Sequence, residues 1–73
     1  MRTYRSNDDC VVIADEIMAE TEKAILCRFG EEEVWLPLSQ VIDCSGTKGS
    51  VDVSIVLPFW LAKKNELEDY IQD

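Results

Sequence analysis

The groups able to do chemistry in this 73-residue chain are carboxylates and thiols, with few amines and no histidine. Acids are grouped at Asp8 and Asp9, Asp15 and Glu16, Glu31 to Glu33, and Glu68 and Asp69. Without an imidazole, proton transfer near neutral pH falls to a shifted carboxylate or a depressed lysine. All four groups lie in polar stretches rather than apolar pockets, which reads as a solvated acidic face. Cys10, Cys27 and Cys44 are odd in number and form no C-x-x-C pair. That argues against a structural zinc site and a disulfide framework, and for small buried thiols in a reducing compartment. The loop "SGTKGS" lacks the G-x-x-x-x-G-K-[ST] spacing of a phosphate cradle, and no acidic run has the order of a calcium loop. The expectation is a protein with no catalytic residues, no metal and no cofactor, so not an enzyme.

Charge is the strongest global signal, with 15 acidic against 7 basic residues and a net charge of −8. Such a field repels nucleic acid and speeds encounter with basic protein surfaces. Lys63 and Lys64 are adjacent and Arg2 and Arg5 flank Tyr4, but no basic stripe could neutralise several phosphates. The alternative is that the acids only keep a small protein soluble. No apolar run of membrane-spanning length exists and no apolar stretch follows Arg2 and Arg5, so a soluble, cytoplasmic protein is expected.

These groups must be positioned by a single small domain, residues 1–73, with a polar lead-in over 1–9. A chain this short buries only about 60% of its unfolded surface. Cys10, Ile13, Ala14, Ile17, Ala24 and Ile25 fit a helical stripe, with Ser6 and Asp9 spaced like a capping box. The β-branched "VVI" and the alternation in "AILCRF" favour instead two strands, roughly 11–19 and 24–29, joined by a turn at "ETEK". "GEEE" makes a hairpin turn, and a third strand is read from Val34 to Asp43. It turns Val34, Leu36, Leu38 and Gln40 to one side and Trp35, Pro37, Ser39 and Val41 to the other. Pro37 cannot donate to a ladder and places this strand at an edge or a bulge.

"CSGTKGS" is a loop. "VDVSIVL" is a fourth strand, with Val51, Val53 and Ile55 inward. Pro58 can start a helix that carries Trp60, Leu67 and Ile71 on one stripe and can stop at Asn65. Acids at Glu66, Glu68, Asp69 and Asp73 would then sit at the wrong end of its dipole. The predicted class is α+β: a small, mainly antiparallel sheet of three to four strands with a C-terminal helix packed on it. Trp60 belongs to the core. Trp35 either anchors packing across the sheet or stands exposed beside the acids, where it would grip a basic partner.

The order Thr-Glu-Lys-Ala in "ETEKAIL", Trp-x-Pro-x-Ser-Gln in "EEVWLPLSQV" and Trp-Leu-Ala-Lys in "LPFWLAKKNEL" resembles a small domain found in uncharacterised phage and bacterial proteins. The likeness spans most of residues 20–67. It implies a β-rich fold and a setting among mobile elements, and carries over no catalytic residue.

Two functions follow as expectations. The first is a non-enzymatic, acidic protein-interaction module that binds a basic protein surface through Glu31, Glu32, Glu33 and Trp35, with Asp52, Glu66 and Asp69. Its sharper form is a phage-encoded inhibitor of the anti-CRISPR kind, a nucleic-acid mimic seated on a nucleic-acid-binding protein. The alternative is an accessory module of a phage or replication assembly, associating with itself or a larger protein through the edge strand that holds Pro37.

Overall fold

The computed structural model describes Arg5 and residues 7–72. Most of the polar lead-in (residues 1–4 and 6) and the acid Asp73 lie outside the described residues. Five antiparallel strands form among those described: β1 (Asp9–Glu20), β2 (Ala24–Phe29), β3 (Glu32–Pro37), β4 (Asp43–Cys44) and β5 (Val51–Pro58). Their spatial order is β3-β2-β1-β5-β4. A single helix, α1 (Phe59–Lys64), and a one-turn 3₁₀ segment (Glu68–Tyr70) follow. The α+β class stands, with five strands rather than three to four.

Period-two patterning explains the strands. In β2, Ile25, Cys27 and Phe29 are buried while Ala24, Leu26 and Arg28 point to the opposite face. In β1, Cys10, Val12 and Ala14 are buried, and continued alternation would bury Glu16. The pattern slips by one residue instead, leaving Asp15 and Glu16 half-exposed and returning Ile17 to the core. A second irregularity at Met18 separates the Ile17–Cys27 and Ala19–Leu26 pairs. Such bulges bend a strand and sharpen its twist. Bent in this way, β1 serves two neighbours: its first half pairs with β5 from Asp9–Pro58 to Glu16–Val51, and its second half with β2 from Glu16–Arg28 to Glu20–Ile25.

The edge that β2 leaves uncovered is closed by the chain's C-terminal part. Ile71 bridges Val12, and the Gln72 amide donates to the Val11 carbonyl at 2.8 Å. Tyr70 secures this closure, its ring tilted at 55° and 5.2 Å from Phe29, its hydroxyl donating to the Phe29 carbonyl at 3.3 Å.

The core lies between one sheet face and the α1 layer. Val12, Ala14, Ile17, Cys27, Phe29, Leu36, Ile55 and Leu57 meet Leu61, Ala62 and Leu67 there. Fully burying one of the larger aliphatic or aromatic side chains stabilises by about 1.5–3 kcal/mol. Trp60 packs against this core without being fully enclosed by it.

Three expectations need correction. The stretch 34–43 is not one strand: β3 ends at Pro37, whose carbonyl accepts from the Gln40 and Val41 amides as the chain turns, and β4 starts only at Asp43. Val51 is 63% exposed rather than inward, because Asp52 takes a left-handed φ of 51° that breaks the alternation of β5. The helix is short. Asn65 caps it by donating its side-chain amide to the Leu61 carbonyl at 3.0 Å, and Glu66 turns left-handed at φ 58°. The Leu67 amide then reaches back to the Ala62 carbonyl at 2.8 Å, a helix stop of the Schellman kind that drops Leu67 into the core. Lys63 and Lys64 therefore occupy the last turn, which suits the dipole, and the acids lie beyond it.

Candidate protein interface

The sheet face turned away from α1 is organised in rows set by the register. Residues opposite each other on antiparallel strands share a face. Glu33, Arg28 and Glu16 form one row across β3, β2 and β1. The next row is apolar: Trp35, Leu26 and Ala19. Trp35 is 51% exposed, which answers the alternatives left open for it: it stands on a solvent-facing surface with acids on its own strand.

Arg28 is held within this face. Its guanidinium lies 3.6 Å from the Asp15 carboxylate and 3.7 Å from that of Glu16, and donates to the Gly30 carbonyl at 3.2 Å. Asp15 in turn accepts from the Gly30 amide at 2.7 Å, so one carboxylate ties β1 to the β2–β3 turn. Pairs this exposed contribute at most about 1 kcal/mol, and their effect is mainly to fix Arg28. By contrast, Glu31, Glu32 and Glu33 carry no side-chain hydrogen bond or ion pair among the described residues.

The predicted residues divide into two groups. Glu31, Glu32, Glu33 and Trp35 fall together at the β2–β3 turn and along β3. Asp52 lies on β5 between the Ala14–Val53 and Glu16–Val51 pairs. Glu66 and Asp69 belong to the layer on the other side of the sheet, Glu66 at the helix stop and Asp69 in the turn that delivers Tyr70. Sequence reasoning missed Leu26, Arg28 and Glu16 as parts of this face. Strand register brings them beside Glu33 and Trp35, and the alternation of "AILCRF" was the available signal.

Charge is concentrated on this part of the chain. Residues 15–35 hold seven acids and two bases, a net −5 out of the −8 of the whole chain. No three of Cys, Asp and Glu converge to hold a metal among the described residues. Burial pushes the Cys27 thiol up to about 12, with Cys44 adding to the effect, and burial followed by the Asp9 charge raises Cys10. Both are neutral thiols near pH 7, poor nucleophiles set in the core. Two hydroxyls of the 44–50 loop accept from nearby backbone: Ser45 from the Ser54 amide of β5 at 2.9 Å and Ser50 from the Thr47 amide at 3.1 Å. No helix among the described residues is long and apolar enough to cross a membrane.

The geometry thus presents an exposed tryptophan in an apolar row that crosses three strands, beside three glutamates that are unpaired among the described residues. Comparison with protein-family models, curated proteins and solved structures finds no match.

Proposed function

We propose that this chain is a non-enzymatic interaction module that captures a basic protein surface on the sheet face bearing Trp35. The observation that supports it is the coincidence of an exposed aromatic, 51% accessible, with the unpaired Glu31, Glu32 and Glu33. Desolvated aromatics anchor interfaces, and surrounding charge selects the partner and speeds its arrival. In its sharper form the module is a phage-type inhibitor, similar to the anti-CRISPR class, whose carboxylates occupy a groove meant for nucleic acid. Intracellular basic proteins would then be its targets.

The test is binding to immobilised basic nucleic-acid-binding domains. Affinity is expected to fall at least about tenfold between about 50 and about 300 mM NaCl, because exposed charges are screened over that range. Reversing Glu31, Glu32 and Glu33 to lysine should abolish capture, and Trp35→Ala should weaken it about tenfold or more while leaving the melting temperature near that of the parent. Binding that survives both salt and charge reversal overturns the reading.

The second reading, an accessory module that assembles through an edge strand, is favoured by β3, which lies at the end of the sheet order. Assembly through apolar strands should strengthen with salt, whereas charge-driven capture weakens, and light scattering across a salt series separates them.

A further inference from the structure

We infer that β3 receives an extended basic segment of the partner as an added strand, an inference that rests on the basic-partner reading above. The sheet's edges are treated unequally. The first half of β1 is covered by Ile71 and Gln72, and β5 by the two residues of β4, with flanking bonds from the Ile42 amide to Val56 and from the Ser45 amide to Ser54. Nothing among the described residues pairs with the far side of β3.

Backbone parity says which groups that edge offers. The Leu38 amide donates to the Lys23 carbonyl at 2.8 Å, so position 38 faces β2. In an uninterrupted antiparallel register, positions 32, 34 and 36 face β2 as well, and 33, 35 and 37 face outward. Pro37 has no amide, and its carbonyl is already taken by Gln40 and Val41. The open edge is therefore short, the amides and carbonyls of Glu33 and Trp35. These are the two residues whose side chains lie on the acidic, aromatic face.

Strand addition supplies affinity through such backbone groups and specificity through alternate side chains. Across Glu33 the incoming strand would place Lys or Arg. Across the half-buried Val34 it would place an apolar residue, and across Trp35 an Arg, whose guanidinium stacks on the indole. Exposed edges invite self-pairing. A second copy would bring a strand of the same negative sign to this edge, whereas a basic segment is complementary in charge, so a basic segment is the occupant that fits.

The probe is a capped heptapeptide, Lys-Val-Arg-Val-Lys-Val-Arg, with two derivatives N-methylated either on all basic residues or on all valines. On an added strand, amides of only one alternate set face β3. Methylating that set should weaken binding at least about tenfold, and methylating the other should leave it within about twofold. On the protein, Glu33→Pro removes an outward amide without touching the β2 ladder, so it should bind more weakly than Glu33→Gln, which loses only the charge. If both methylated peptides bind like the parent peptide, strand addition is overturned and the basic-partner reading stands. Failure of all three to bind at low salt overturns both. A free protein that sediments as a dimer, which Glu33→Pro dissociates, names a second copy as the occupant and overturns the inference.

Discussion

Cys27 lies in the middle of β2, paired with Ile17 on one side and Val34 on the other, and has no accessible surface. Desolvation makes its thiolate costly, and the neighbouring Cys44 adds to that cost, so the folded pKa rises from 9.0 to about 12. An unfolded chain releases this proton near its ordinary pKa, while the folded chain keeps it. The resulting stability is complete below pH 9 and is lost as pH climbs through the folded value. Urea midpoints should hold steady between about pH 7 and 8 and then decline, and Cys27→Ala, though less stable at neutral pH, should decline less steeply. Equal slopes for the two proteins would refute the assignment. Cys44, only half-buried, should react with a thiol reagent well before Cys27.

Among the elements, the β2–β3 hairpin and the C-terminal segment depend on each other at one point. Gly30 has a φ of 65°, and a Cβ there would stand 2.9 Å from the Tyr70 hydroxyl. Gly30→Ala should destabilise by about 1–2 kcal/mol, from left-handed strain and from that contact. Tyr70→Phe alone should cost about 1 kcal/mol through its lost hydrogen bond to Phe29. Removing the hydroxyl also makes room for the added methyl group, so the double variant should be more stable than the two losses summed. Strict additivity in chemical denaturation would show that the close approach carries no energy. The sequence foretold this turn because "GEEE" places the glycine where positive φ is needed. It foretold β2 as a strand because Ile25, Cys27 and Phe29 alternate with Ala24, Leu26 and Arg28 without a break. The end of β3 was harder to read. A proline in an apolar run marks an edge, a bulge or a stop equally well, and the deciding groups are the Gln40 and Val41 amides that fold back onto Pro37. The left-handed turns at Asp52 and Glu66 were also hidden, because neither residue is the glycine that usually announces one.

At the scale of the whole molecule, charge and topology coincide: the meander from Asp15 to Trp35 holds a net −5, and among the described residues nothing pairs with the far side of its last strand. Glu31 to Glu33 and Trp35 were legible as a candidate surface because they are neighbours in the chain. Leu26, Arg28 and Glu16 join them only through register, a non-local property that no single segment encodes. Non-locality also separates the two halves of β1. The half from Glu16 to Glu20 finds its partner in β2 across a short turn, whereas the half from Asp9 to Ala14 waits for Val51–Pro58 and finally for Ile71 and Gln72. Closing the longer loops costs more chain entropy before any contact rewards it. One strand is thereby expected to be divided in time as well as in space. Truncations in the meander, such as Leu26→Ala, should slow folding, and Val12→Ala should mainly hasten unfolding. Reversed φ-values would contradict that order. Until Ile71 and Gln72 dock, the side of β1 that presents the Val11 carbonyl would stand open as a second, uncharged edge, and the step that covers it is also the one that removes a site of misassembly.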